Sequence, residues 1–316
     1  MKAIMYHYVR PDESSLPYFQ HLHIDDFVKQ LEYFGNEYGF ISREEFQECL
    51  QTTKPKKGVI LTFDDGFKDH YRYVLPELLK RNLWGILYIP TSPFLTGKLI
   101  DVHRIHMLLG RYHGKTISDT IRRILTDDML SHAHVEEFHT ETYLQHNNNG
   151  STNYVKRLLN YFIDYRYRQS TIDELMSAYY PNENDLVQDF YMTKAELAYM
   201  HNNGMVLGSH TVNHPVMSKL TIEEQEREIV SSFQMIESIT GEVALKTFCY
   251  PYGGFHTFTA QTEELLNKHS CLFSFNVESR DINQKDLASR RQALPRFDCN
   301  EFSHGSCRQL NSLNSV

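Results

Sequence analysis

The stretch Val59–Lys68, VILTFDDGFK, sets two adjacent carboxylates, Asp64 and Asp65, after a short apolar run and before Gly66. Such a run reads as a buried strand, and the glycine lets the backbone turn sharply at its end. Two neighbouring aspartates repel each other unless a cation is close, and a metal ion is the simplest remedy. Taken alone, the stretch also reads as a plain Asp-Asp-Gly turn. Further along, His210 and His214 follow the apolar run Met205–Ser209. On a helical turn, a spacing of four points both imidazoles the same way. Two neutral imidazoles and one carboxylate make a facial three-ligand site for Zn2+ or a similar divalent ion, with positions left for water and substrate. A third polar cluster, Tyr250-Pro251-Tyr252-Gly253, ends another apolar run. Two histidines at this spacing arise often by chance. Their place at a strand end, with paired carboxylates at another, is much harder to reach by accident.

The elements that would carry these clusters alternate along the chain. Lys2–Val9 reads as a first strand ending in His7-Tyr8-Val9-Arg10. Asp25 or Asp26 can cap a helix with Phe27, Leu31, Phe34 and Tyr38 on one face, closed by Gly39. Pro76 suits the first turn of a helix, and Trp84–Ile89 reads as a buried strand. Strand, helix and strand at this spacing form a βαβ unit, so the sheet is parallel and the C-terminal strand ends gather at one face. The alternation resumes with capping boxes at Thr193–Glu196 and Thr221–Glu224 and strands over Met205–Ser209, Ala244–Cys249 and Leu272–Phe275. Between these halves, residues 96–191 show helical spacing and no strand pattern, and read as a mostly helical insertion. Its histidines, His132, His134, His139 and His146, lack a compact ligand spacing and read as solvated surface.

Composition bounds the rest. The net charge of -8 argues against nucleic acid or an anionic membrane as partner. No stretch approaches the ~18 apolar residues that span a bilayer. The 20 tyrosines and 19 phenylalanines could stack on sugars, yet most read as core filler. Five cysteines, odd in number and without C-x-x-C spacing, fit reduced thiols in the cytoplasm. The apolar start, Met1–Tyr8, is too short for a secretory signal and reads as a strand.

TFDDG, SHTVNH and YPYG, in that order, resemble the polysaccharide deacetylase family with the NodB homology domain. The resemblance covers residues of about 1–95 and 195–300. It implies an α/β fold, a distorted (β/α)7-type barrel, as one domain over residues 1–316 with the insertion at 96–191 inside it. It also implies metal-dependent removal of acetyl groups from amino sugars, or from sugar esters. Carried over residue by residue, Asp65, His210 and His214 resemble the metal ligands, and Asp64 the general base. Zn2+ is the first expectation, with Co2+, Ni2+ or Mn2+ as alternatives. Tyr252 resembles the residue whose main-chain N–H helps to hold the oxyanion, Tyr250 joins it as a substrate contact, and Thr211 fills the position that supports the ligand loop.

Two departures stand out. Where the family often has an arginine paired with the catalytic aspartate, this chain has Cys249; Arg296 is the candidate substitute, with an ordinary surface arginine as the alternative. The family's late Leu-His motif is not evident. His7 is the candidate proton donor, His304 a weaker one, and a buried structural role for His7 is the alternative. The resulting expectation is a cytoplasmic de-N-acetylase acting on a small, nucleotide-activated or lipid-linked acetamido sugar in surface glycan biosynthesis. A sugar O-acetyl esterase, a catalytically silent glycan-binding module and a metal-dependent amidohydrolase of another barrel type acting on a non-sugar amide are the other readings. The insertion suits a wall over a closed pocket, and an apolar face on it would equally suit a homo-oligomer contact.

Overall fold

Runs such as VILTF and GILYI are apolar at nearly every position, the pattern of strands covered on both faces. The computed structural model, which describes residues 1–129, 150–241 and 245–310, builds them into a parallel sheet. The four histidines at 132–146 and the expected strand start at Ala244 lie outside the described residues. The chain divides into two compact units. The first takes Met1–Pro11, His21–Gly97 and Gln188–Cys307; the second takes Asp12–Gln20, Lys98–Val187 and Arg308–Val316.

In the first unit the strands are β1 (Lys2–Tyr6), β2 (Val9–Arg10), β3 (Leu22–His23), β4 (Val59–Phe63), β5 (Gly85–Ile89), β6 (Val206–Ser209), β7 (Thr247–Cys249), β8 (Phe273–Phe275) and β9 (Phe297–Asp298). Seven of them form one all-parallel sheet in the order β8-β7-β6-β5-β4-β1-β9. Tyr6 stands opposite Phe63, Ile89 opposite Ser209, and Cys249 opposite Phe275. Across the other two pairs Phe63 stands opposite Leu87 and Ser209 opposite Phe248, so neighbouring strand ends fall within two residues of one another and the loops that leave them share one rim. The chain just before β9 also reaches the far edge: Leu294 bridges to Phe275, and its N–H donates to Ser274 O at 2.8 Å. One short segment thus ties both edges of the sheet, which curls it into the NodB-like barrel form.

Helices cover both faces. Phe27, Leu31 and Phe34 of α1 (Ile24–Glu37) pack with Ile4, Tyr6, Leu61 and Phe63. Phe46, Cys49 and Leu50 of α2 (Arg43–Thr52) pack with Ala3, Ile60, Ile86 and Phe273 on the other face. The cap of α1 differs from expectation. His23 is the N-cap, its Nδ1 accepting from the Asp25 N–H at 3.2 Å. Asp25 and Asp26 fall inside the first turn, where their charge meets the positive end of the helix dipole. The expected first strand is also shorter: it stops at Tyr6, and Val9–Arg10 pairs instead with β3. Pro76 sits in the first turn of α3 (Leu75–Lys80), and α4 (Pro93–Thr96) follows β5.

The second unit is held by α5 (Asp101–Arg111), α6 (Gly114–Ile124), α7 (Gly150–Arg157), α8 (Tyr165–Tyr179) and the start of α9 (Glu183–Phe190). Its polar centre is Arg104, 1% exposed, which donates to both carboxylate oxygens of Glu183 at 2.7 and 2.8 Å and to Asp173 at 2.9 Å. A buried guanidinium is tolerable only when its donors are satisfied in this way. Back in the first unit, capping boxes at Thr193 and Thr221 open α10 (Lys194–Asn202) and α11 (Ile222–Thr240), as the spacing predicts. Further on come α12 (Ala260–Lys268) and α13 (Gln284–Ser289).

One glycine in the sheet is required by a close approach. The Tyr88 ring crosses Gly208 to bond Thr247, hydroxyl to hydroxyl, at 2.9 Å. A Cβ on Gly208 would meet Tyr88 Cε1 at 2.5 Å and Thr247 Cγ2 at 2.8 Å. Overpacking a dense core costs about 1–3 kcal/mol. Gly208→Ala should lower the unfolding free energy by that amount in urea titration, and an unchanged midpoint would contradict the packing described.

Candidate metal centre

The paired carboxylates stand where β4 ends. Asp65 and Gly66 both take left-handed backbone conformations, with φ of 75° and 65°. The turn sends the two carboxylates to different partners, although both are buried.

Asp64 meets Arg296. The guanidinium donates to Asp64 Oδ1 and Oδ2 at 2.8 Å each, to Thr62 Oγ1 at 3.0 Å, to the carbonyl of Asn276 at 3.3 Å and to Cys249 Sγ at 2.9 Å. Arg296 is 1% exposed and lies over the faces of Tyr88 and Phe275. Burial by itself would raise the Asp64 carboxyl, but the bidentate guanidinium outweighs it and holds the pKa at about 2. Arg296 is thus a buried partner of Asp64, not a surface arginine. Cys249, at the position where the family often has arginine, fills the remaining space with its thiol 3.6 Å from Asp64 Oδ2.

Asp65 meets the two histidines. Its Oδ1 lies 3.6 Å from His210 Nε2 and 3.7 Å from His214 Nε2, too far for hydrogen bonds. His210 donates from Nδ1 to the Cys249 carbonyl at 2.8 Å, which leaves Nε2 as the lone-pair nitrogen facing Asp65. Ligand atoms of Asp65, His210 and His214 all fall within 4.8 Å of one another and all three residues are buried. Two imidazoles and a carboxylate suit a divalent ion such as zinc. Among the described residues one other triangle, Asp64, His210 and Cys249, is as compact. There the Arg296 guanidinium already supplies the cation, and burial pushes the Cys249 thiol well above its ordinary pKa, so no thiolate is offered.

The histidine pair reaches this geometry without a helix. Residues 210–216 form a loop in which Thr211 and His214 take φ of 65° and 56°. The helical turn expected from the spacing of four is absent, because the chain doubles back at each of these residues. Thr211 supports the loop, its Oγ1 accepting from the His214 N–H at 2.9 Å.

The remaining expected residues divide. His7 follows β1, half-exposed, with Nε2 4.0 Å from Asp64 Oδ2. It is not a buried structural histidine. Its carbonyl accepts from Nε2 of His70 at 2.7 Å, and burial drives His70 down to about 4, so that ring stays neutral at physiological pH. Tyr252, with φ of 64°, sets its ring edge-to-face on His214 at 4.9 Å. Tyr250, expected as a substrate contact, instead has its side chain in the core: it is 1% exposed, stacks on Phe258 at 3.7 Å and donates its hydroxyl to the Gln292 carbonyl. An aromatic whose hydroxyl is already bonded inside the core has no free face to offer. His304 is exposed in the turn after Phe302. Cys249 and His70 were not among the expected site residues; the first carries only the signal of a missing arginine, and the second carries none.

Residues 148–271 match a family model described as polysaccharide deacetylase. That range includes His210, His214 and Tyr252, begins after Asp64–Asp65, and takes in part of the 96–191 stretch. No curated protein matches the chain. Among solved structures, the Streptococcus pyogenes deacetylase PplD in complex with acetate aligns with TM-score 0.57 and 16% identity, over 94% of this chain and 91% of that one. IcaB from Ammonifex degensii gives TM-score 0.53 and 16% identity, over 94% and 90%. A de-N-acetylase from Aggregatibacter actinomycetemcomitans gives 0.52 and 14%, over 94% and 93%.

The ion pair predicts a pH signature in metal-free protein. The Asp64 pKa is lowered on folding, so its stabilisation is complete above the unfolded value and is lost as pH falls from about 4 to about 2. The amount is about 2 kcal/mol. Arg296→Met leaves Asp64 buried without its partner and should cost about 3–5 kcal/mol at neutral pH. In that variant the Asp64 carboxyl rises above its unfolded value, so stability should fall as pH rises. Urea titrations from pH 3 to 7 with chelator present check both signs, and parallel pH profiles for the two proteins would contradict them.

Proposed function

We propose, from the match of residues 148–271 to the polysaccharide deacetylase model and from the site's geometry, that the chain hydrolyses the acetamido group of a sugar and releases acetate. The observation that carries this reading is the buried Asp65, His210 and His214 set beside an ionised Asp64. A divalent ion held by the three ligands supplies Lewis acidity and brings the pKa of a water toward neutrality. The chain's own residues do the rest. Asp64, kept ionised by Arg296, takes a proton at its carboxylate oxygen. Tyr252 offers its main-chain N–H to the developing oxyanion. His7, at the mouth of the site, gives a proton to the leaving amine.

His7 favours the amide over the ester reading, since an amine leaves badly unless protonated while an alkoxide needs less help. Intact ligands and base favour an enzyme over a silent glycan-binding module. All five cysteines are free, four of them buried, which supports a reducing compartment. Within it we place the substrate among small, nucleotide-activated or lipid-linked acetamido sugars of surface glycan biosynthesis, with zinc as the metal.

Purified protein should release acetate from at least one member of a panel of free, nucleotide-linked and lipid-linked acetamido sugars. A chelator should abolish the release and Zn2+ or Co2+ restore it. Asp64→Asn should retain zinc and lose roughly 10²- to 10⁴-fold in kcat. His210→Ala and His214→Ala should lose the zinc itself. Full turnover in Asp64→Asn would remove the base assignment, and a protein that binds no metal would favour the non-enzymatic reading.

A further inference from the structure

The loop that carries His210 and His214 is held from outside by a glutamate on a neighbouring helix. Glu228 lies on α11. Its Oε2 accepts from the N–H groups of Val212 at 2.7 Å and Asn213 at 2.9 Å, and its Oε1 accepts from Asn213 Nδ2 at 2.6 Å. From the other side, the N–H groups of Thr91 and Ser92, just past β5, donate to the carbonyls of Thr211 at 3.2 Å and Val212 at 2.8 Å. Ser209 Oγ accepts from the Thr211 N–H at 3.2 Å and pairs with Ser232 Oγ of α11 at 2.6 Å. The clamped dipeptide, Val212-Asn213, sits between the two left-handed residues Thr211 and His214. Non-glycine residues keep such conformations only where their surroundings over-determine them.

We propose that Glu228 is a positioning residue for the metal ligands, an inference that rests on the metal reading given above. One carboxylate gathers two consecutive amides, and its charge makes those bonds about twice as strong as neutral ones. Without it, Val212 and Asn213 lose their acceptor, the two strained residues relax, and His214 moves relative to His210. Glu228 belongs to none of the three motifs and acts through the backbone that orients the two imidazoles.

The test uses zinc affinity by chelator competition, with hydrogen–deuterium exchange over residues 209–214 in zinc-free protein. Glu228→Ala should weaken zinc binding by roughly 10- to 100-fold, the range for groups that orient metal ligands, and should speed exchange in that loop. Glu228→Gln keeps an acceptor but not the charge, and should fall between wild type and Glu228→Ala. Glu237→Ala, on the same helix and paired with Lys246 at the surface, should change neither readout. Zinc affinity unchanged in Glu228→Ala overturns the proposal. Should that variant fail to fold, unchanged affinity in Glu228→Gln does so instead. A wild-type chain that binds no zinc overturns the metal reading and this role with it, whereas zinc bound equally by wild type and variant overturns Glu228 alone.

Discussion

Two adjacent carboxylates buried at one strand end repel each other strongly, because little water is present to screen them. Each therefore needs its own compensation. Asp64 receives a permanent cation, Arg296, fixed by five donor contacts. Asp65 receives two imidazoles, which in their neutral form bring ligand atoms but no charge, a set that a divalent ion would balance. Arg296 lies within the short segment that ties β8 to β1. Closing the sheet and neutralising Asp64 are thus one event. The seam cannot form without delivering the guanidinium, and a misplaced guanidinium would leave charges of both signs buried at the seam.

The same rim concentrates backbone strain. Of the eight non-glycine residues with positive φ among the described residues, Asp65, Thr211, His214 and Tyr252 all stand at the candidate site. Each costs on the order of 1–3 kcal/mol. The surrounding structure offsets this with local bonds: Thr211 Oγ1 to the His214 N–H, Ser209 Oγ to the Thr211 N–H, and the Glu228 carboxylate to two more amides. A regular turn of helix would satisfy its own amides, whereas this loop relies on side-chain acceptors for them. The strained loop brings the two rings to 4.7 Å between centroids.

Apolar runs made the parallel sheet legible, and capping boxes the starts of α10 and α11, because both depend on residues close in sequence. The three strand-end clusters were legible for the same reason: the elements carrying them are regular, and the register then brings their ends together. The features that stayed hidden depend on distance along the chain. Glu228 reaches a loop from a separate helix, and His70 fixes the His7 carbonyl from 63 residues away. Tyr250 misled because Tyr252, two residues on, faces the site: the left-handed backbone at Tyr252 carries the second ring to His214 while the first stays in the core.

The positions of His7 and Arg296 are set by topology. Strand order β4-β1-β9 makes the first and last strands of the barrel neighbours, with β1 also beside β4, the strand that ends in Asp64. His7 leaves β1 and Arg296 enters β9, so groups almost the whole chain apart arrive at the same carboxylate. The C-terminal ends of parallel strands share one rim; His7 stands there after β1, and Arg296, which precedes β9, reaches it with its side chain. That is why a thiol at Cys249 is tolerated where the family often has arginine. The requirement is a guanidinium touching Asp64, and the adjoining seam meets it, with Cys249 Sγ accepting from the same guanidinium at 2.9 Å.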